Sequence, residues 1–422
     1  MNSISSYNAS NQSYQLAPSS ASHCSTNLTV SINSSSGNSS NQPLAAFFTS
    51  CSTSQLMHSS NGTSCHVSAH VNTTGPSIVH QSVGFAPPIE CTHIAKGHSN
   101  AVLDIDVIHE VMITGSKDRT AKIWDLATME EVDTLHDHPN NVTKVRMCPS
   151  SNLIFTVCSY FIKVWDRRDV RRCIRTLLSS GLSQEGSLET KVMRRQNICP
   201  PGETNIMDIT LGGSNPSLNH LMFSATANSV KLWDLRRFYC VGKLHGSHQA
   251  PVMVLAAAQT PCNSPTADSE PRLTVVTGSK DHYIKVFDVS STTSGLLTPT
   301  LDLEPPHYDG IESLVIHGNI LFSGSRDAAI KKWNLVKNGR QEVLLAQAHK
   351  DWIQGMGITH DGTNLISGCR GGTLKLWKVE DCTCLGEINN AHDGAINCVR
   401  TYKDRVFTAG NDRDIRFWKF IN

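Results

Sequence analysis

Seven times in this chain a basic residue stands two positions ahead of a large aromatic, at the end of a short run rich in β-branched residues. The aromatics are Trp124, Trp165, Trp233, Phe287, Trp333, Trp377 and Trp418. Their basic partners are Lys122, Lys163, Lys231, Lys285, Lys331, Lys375 and Arg416. Successive aromatics are 41, 68, 54, 46, 44 and 41 residues apart. A unit of that size cannot bury its apolar face alone, so such units must pack on one another. Alternating polar and β-branched residues with turn signals between them make each unit a small sheet. Seven such units predict an all-β disc of seven four-stranded blades.

Other residues keep fixed offsets from these aromatics. In the first unit Val102 follows His98 by four positions, Asp118 lies six residues ahead of Trp124, and Thr114 lies ten ahead. A His followed four residues later by Val or Ile recurs at His98, His138, His248, His307, His349 and His392, while the third unit has Gly202 before Ile206. An Asp six positions before the aromatic recurs at Asp118, Asp281, Asp327 and Asp412, and the sixth unit has Gly371 there. Units two and three (155–166 and 223–234) are one residue shorter through the turn and have no such Asp. A catalytic group occurs once in a chain, whereas a structural device recurs. His98, Asp118, Trp124, Asp281, Asp327, Trp333, His349, His392, Asp412 and Trp418 are therefore expected to be structural. A buried indole N–H, imidazole and carboxylate all need partners, and a hydrogen-bonded chain supplies them. The basic residue before each aromatic is expected to lay its stem along the strand and lift its charge to water.

The chain divides by composition. Residues 1–85 contain no Asp, Glu, Lys or Arg and are dominated by Ser and Asn. Such a segment cannot bury enough apolar surface to offset the entropy of ordering, so 1–85 is expected to be disordered and 86–422 to form the disc. The formal net charge of +1 argues against a nucleic-acid protein. No apolar run is long enough to cross a bilayer, and no secretory signal is evident at the N-terminus. The fourteen cysteines form no Cys-x-x-Cys, so no metal site is expected. No phosphate-binding loop, nucleophile elbow or zinc-protease motif is present, so neither an enzyme nor a cofactor is expected. Two insertions, 179–203 and 260–271, read as loops.

Candidate binding residues sit beside the repeated Asp. Lys117, Arg119, Lys280, Arg326 and Arg370 lie at or next to that turn, with His282 and Arg413 in similar places. A nearly neutral protein can thus carry one basic rim, which would attract an acidic partner. Two aromatics fall near the same rim. Trp352 is the only Trp outside the closing positions, and Tyr308 occupies a similar segment. Aromatics among cations are typical interface anchors.

The offsets of His, Ser or Thr, Asp and Trp resemble those of the WD-repeat family. That resemblance implies a seven-bladed WD40 β-propeller whose last blade is completed by an N-terminal strand, here Ile89–Ala95. A narrower resemblance lies in TGSKDHYIKVFDV (277–289), EPPHYDGIE (304–312), AHKDWI (348–353), SGCRGGTLKLW (367–377), DHPNNV (137–142) and RRCIRTLLSSG (171–181). These stretches resemble the C-terminal propeller of kinesin family member 21, in the kinesin-4 class, over about 88–422. Members of that family are plus-end-directed motors that restrain microtubule dynamics. The resemblance implies a tail module that contacts cargo or microtubules in the cytoplasm, without the motor ATPase in this sequence. It makes tubulin, with its acidic tails, a candidate partner of the basic rim. The rival reading is a substrate receptor or scaffold that binds acidic or phosphorylated peptides.

Overall fold

The structure is a computed structural model, and it describes residues 77–78, 88–187, 199–246, 248–260 and 271–421. The chain separates into two units, 1–71 and 72–422, and everything below concerns the second. The expectation of disorder over 1–85 falls outside the described residues, apart from Ser77–Ile78, which pair in parallel with Val343 and Leu344. Residues 188–198 and 261–270, within the two insertions, also fall outside them.

Seven sheets, each built on an antiparallel set of strands, form seven blades. Blade 1 shows the plan, with strands Val102–Ile108, Val111–Ser116, Ala121–Asp125 and Glu130–Leu135 in sequence order from the inside out. The innermost strands of the other blades begin at Lys144, Ile206, Val252, Ile311, Ile353 and Ile396. Each touches the next, and the last touches the first, so the inner strands close a ring around a central channel. Blade 7 has three consecutive strands, and its fourth is Ile89–Ala95, paired antiparallel with Ile415–Phe420. The ends of the folded chain thus lie in one sheet, and the edge each would expose alone is covered.

The repeated aromatic fills the space between blades. Trp124 packs with Phe407 and Phe417 of blade 7, Trp233 with Phe155 and Val164 of blade 2, and Trp377 with Phe322 and Ile330 of blade 5. Phe287 and Trp333 meet the preceding blade in the same way. A Trp in such a seat withdraws about 150–250 Å² from water, a large share of the energy that holds two blades together. The Val or Ile four residues after each His has a matching role. A Cβ placed on Gly278, Gly324 or Gly368 would lie 2.6 Å from Cγ2 of Ile311, Ile353 or Ile396 of the next blade. Glycine is needed there so that the β-branched residue can seat against bare backbone.

Two expectations are corrected. Four of the six lysines before the aromatics do not raise their charge to water, whereas Lys122 and Lys231 stay partly exposed. Lys163 has no exposed surface, and Lys285, Lys331 and Lys375 are also buried. Lys163 Nζ donates to the Asp137 carbonyl at 2.6 Å, and Lys331 Nζ donates to the carbonyls of Pro305 and Pro306 at 2.8 and 2.9 Å. Lys285 instead meets Asp302, and Lys375 meets Glu387. The segment leading to the His, or an acid on the outermost strand, covers each ammonium. Lys163, Lys331 and Lys375 also stand 5.4, 5.5 and 5.8 Å from the ring centroids of their Trp partners. The second correction concerns the insertion at 179–203, part of which is ordered. Ser183–Glu185 adds a fifth strand to blade 2 by pairing with Arg175–Leu177. A feature not foreseen is Gly295–Leu297, which runs parallel to the outer strand of blade 3 before the chain returns to finish blade 4.

Candidate protein-interaction face

The repeated His, hydroxyl, Asp and Trp meet at one end of each blade, which defines an upper rim. In blade 1, His98 Nδ1 lies 2.7 Å from Asp118 Oδ2, its Nε2 lies 2.8 Å from Thr114 Oγ1, and Trp124 Nε1 donates to the same Oγ1 at 2.9 Å. The indole N–H already uses the hydroxyl oxygen as acceptor. A carboxylate can only accept, so Nδ1–H donates to Asp118, and Nε2 is left to accept the hydroxyl hydrogen. Blades 5 and 7 repeat the chain through His307, Asp327, Ser323 and Trp333, and through His392, Asp412, Thr408 and Trp418. Blade 4 keeps His248, Asp281 and Thr277 but ends in Phe287, which has no N–H to give. Blades 2 and 6 keep the His–hydroxyl–Trp part, through His138 and His349, without the acid. Blade 3 retains only the bond from Trp233 to Ser224. In blades 2 and 3 the turn before the third strand has two residues, at 159–160 and 227–228, where blade 1 has four at 117–120.

The carboxylates are held in their charged form. Burial alone would raise Asp281, but hydrogen bonds from His248 and from the amides of Tyr283 and Gln249 bring it down to about 2. Its folded pKa thus lies below the unfolded value, so the stability it adds is complete above about pH 4 and fades as pH falls toward 2.

Blade 6 offers a direct test of the missing acid. Burial, with Lys375 adding to it, pushes the His349 imidazole down to about 3, and its Nδ1 has no hydrogen-bond partner among the described residues. Gly371 stands where other blades have Asp. A Cβ there meets nothing closer than Cys369 Sγ at 3.6 Å. Gly371→Asp is expected to pair Nδ1 and to stabilise the protein by about 1–2 kcal/mol, read as a higher urea midpoint. An unchanged or lower midpoint would show that the open nitrogen costs nothing.

The cations beside the turn occupy equivalent backbone positions. The amides of Lys117, Lys280, Arg326 and Arg370 donate to the carbonyls of Ala101, Pro251, Gly310 and Trp352, each just ahead of an inner strand. Blade 7 has Asn411 in this place, bonded to Ala395. The short turns of blades 2 and 3 carry Ser159 and Ala227 instead. The basic rim is therefore an arc over blades 4, 5 and 6, continued by the exposed Arg413 on blade 7 to Lys117 and Arg119 on blade 1. Lys117, Arg119, Lys280 and Arg370 are exposed and have no acidic partner among the described residues. Arg326 is half-buried, and its Nε donates to Glu312 Oε1 at 2.5 Å.

The structure joins three residues that the sequence treats separately. The guanidinium carbons of Arg326 and Arg370 stand 4.5 and 4.6 Å from the ring centroid of Trp352. Trp352 is partly buried, so it serves both to fill the gap between blades 5 and 6 and to hold two guanidinium groups in place. Tyr308 is 86% exposed, and its amide donates to Asp327, which places it beside Arg326. Lys280 is close as well, since a Cβ on Gly310 would lie 3.3 Å from Lys280 Cα and 3.8 Å from Arg326 Cδ.

A second charged group lies in the channel and was not anticipated. Asp104, 1% exposed, accepts from Arg146 Nη1 at 2.5 Å and from the Val145 amide at 3.0 Å, and Arg400 Nη2 is 3.6 Å away. Asp208 faces Arg146 Nη2 at 3.3 Å and accepts from the Leu255 amide at 2.9 Å. Asp106 accepts from the Met147 amide at 2.7 Å. Each carboxylate reaches from one blade to the backbone of the next. The sequence does contain a signal, a charged residue in each of the inner strands VLDIDVI, KVRM and IMDITL. The channel holds a cavity of about 330 Å³. Among the described residues no three His, Cys, Asp or Glu side chains gather as a metal site, and the ten described cysteines are free thiols.

Comparison with known proteins agrees with the geometry. The family described as WD domain, G-beta repeat matches residues 89–125, 129–166, 341–378 and 382–419. The chain is 46% identical over 338 residues to the Kinesin-like protein KIF21A of Homo sapiens, a match covering 79% of this chain and 19% of that protein. It is 42% identical over 336 residues to the human Kinesin-like protein KIF21B, covering 79% and 20%. It is 35% identical over 336 residues to the Kinesin-like protein klp-12 of Caenorhabditis elegans, covering 78% and 20%. The chain thus spans no more than 20% of the length of these relatives. Repeats, blade count and relatives converge: the chain carries a seven-bladed β-propeller with WD repeats, similar over that stretch to part of the kinesin-like proteins KIF21A, KIF21B and klp-12.

Proposed function

We propose that this propeller is a non-catalytic interaction module whose upper rim takes an extended acidic segment, and that this segment is supplied by tubulin or by the cargo of a kinesin-like motor. The observation that carries the reading is the pair of guanidinium groups held against Trp352, with Lys280 and Tyr308 alongside. A guanidinium group whose position is already fixed by an aromatic loses less entropy on binding a carboxylate than a free side chain does. Two of them in adjacent blades suit successive acidic residues. The relatives' names, Kinesin-like protein, point toward microtubules, and the reading places the protein on them in the cytoplasm.

Co-sedimentation of the full chain with microtubules tests this. Binding is expected to weaken steeply between low and physiological salt. Lys280→Glu with Arg370→Glu is expected to reduce affinity by about tenfold or more, and Trp352→Ala to reduce it less. Salt-insensitive binding, or binding unchanged by the double reversal, would reject the reading.

A further inference from the structure

The rim opposite the His–Asp turns carries the turns that follow each Trp–Asp, and two adjacent blades load it with arginine. Blade 2 supplies Arg167, Arg168, Arg171, Arg172 and Arg175, and blade 3 supplies Arg236 and Arg237. The two sets meet, because the Arg175 guanidinium lies 5.7 Å from the ring centroid of Phe238 and Ile174 shares an apolar cluster with Phe238 and Leu235. These are the blades whose upper turns lack a cation.

The acids nearby do not match the arginines in number. Asp166 holds Arg168 at 2.6 Å, Glu185 holds Arg175 at 2.9 Å and Asp234 holds Arg236 at 2.8 Å. Asp169 is shared by Arg171 and Arg172 at 3.9 Å each. Arg167 and Arg237 are exposed and have no acidic partner among the described residues. Beside Arg236 opens a cavity of about 560 Å³ between the lower turns of blades 3 and 4. Its walls carry Ser217, Tyr239, Thr293 and Ser294 around Arg236 and its bonded partner Asp234, and the exposed Arg237 follows Arg236 in the chain just outside the lining. His220 also lines it, 8% exposed, with no partner for Nε2 among the described residues.

We propose that this lower rim is a second recognition site, for a phosphorylated serine or threonine in a partner protein, with the phosphate seated at the cavity mouth by Arg236 and Arg237. Arginine alone supplies the charge here, and its planar fork fits phosphate oxygens. The local guanidinium groups already hold carboxylates, so an acidic tail would exchange like for like. A phosphate carries nearly two charges and three acceptor oxygens, so it bridges two guanidinium groups without displacing Asp234. A flat bilayer would meet the rim arginines but could not fill a concave cavity. The site lies on the face opposite the basic arc, and its existence does not depend on the reading of that arc.

The test uses the full chain and fluorescence anisotropy with a labelled Gly/Ser peptide carrying one central phosphothreonine. The same peptide with Thr and with Glu, and vesicles containing a phosphoinositide, are run beside it. The phosphopeptide is expected to bind at least tenfold more tightly than either control. Arg237→Gln should lose most of that difference, and Lys280→Glu, on the upper rim, should keep it. Arg236→Gln should behave like Arg237→Gln. If it lowers the melting temperature by freeing Asp234, Arg237→Gln decides. Equal binding of phosphorylated and plain peptide, binding to vesicles but not to the peptide, or full binding by Arg237→Gln would each overturn the proposal. Loss of phosphopeptide binding in Lys280→Glu would also overturn it, by moving the site to the upper rim. Microtubule binding by the same variants is read separately, so failure of one site does not imply failure of the other.

Discussion

Removing residues 86–96 is expected to leave a chain that aggregates and has no single cooperative melt. The strand it deletes, Ile89–Ala95, is the outer strand of blade 7. Its register runs from Ile89 opposite Phe420 to Ala95 opposite Ile415. Ile89 and Ala95 are each 3% exposed, and Ala95 packs with Phe407, Phe417 and Trp124. Without the strand, Ile415–Phe420 becomes a bare edge that can pair with another chain. A ring also differs from an open sheet, because losing one closure loosens the contact of blade 7 with blade 1, and inner strands then separate from both sides. Size-exclusion chromatography and a thermal melt of the deletion decide this. A soluble species with an unchanged melt would show that closure is dispensable.

Asp104→Ala is expected to be the most damaging single substitution among those considered, at about 3–5 kcal/mol. The carboxylate is buried between blades 7, 1 and 2, and it serves Arg146, Arg400, the Val145 amide and the Cys398 thiol. Alanine removes the acceptor but leaves the cations in place. Arg146 keeps Asp208, whereas Arg400 loses its one close ion pair among the described residues. Asp104→Asn retains the shape without the charge and should fall between wild type and alanine. The same carboxylate predicts a pH dependence. Burial would raise its pKa, but Arg146, Lys144, Arg400 and the Val145 amide hold it far below the usual carboxylate range. Its contribution is therefore complete above about pH 4 and is lost as pH falls further, where the unfolded chain takes up the proton first. The gap in urea midpoint between wild type and Asp104→Asn should be smaller at pH 3 than at pH 7. A loss under about 1 kcal/mol for Asp104→Ala at pH 7 would mean that the channel cluster does not staple the blades.

The blade plan was legible because its grammar is local. His98, Thr114, Asp118 and Trp124 lie within 27 residues of one another, and each offset recurs, so spacing alone locates the hydrogen-bonded chain. Blades that break the plan were legible for the same reason: Gly371 and the short turns of units two and three stand out against the other copies. The closing strand was readable from Ile89–Ala95 having no blade of its own, together with the family resemblance.

What the sequence could not supply are contacts made between blades. A lysine two positions before a Trp looks solvent-facing on an isolated strand. Lys163 and Lys331 are buried because the segment leading into their own blade, 26 residues earlier, folds over them. Lys122 and Lys375 meet acids on an outermost strand. Arg326, Trp352 and Arg370 were separate candidates until two blades packed and stacked them. The channel cluster of Asp104, Arg146, Asp208 and Arg400 draws on four blades, so no period in the sequence reveals it. By itself the sequence determined the number of blades and the hydrogen-bonded device within each, because these depend on short offsets and on β periodicity, while the strand that closes the ring came with the family resemblance. The tertiary structure alone decided which charges are buried, which are paired and which stand free on a rim. A charge's environment is set by the neighbouring blade, and that neighbour's approach is not encoded in the spacing of any one repeat.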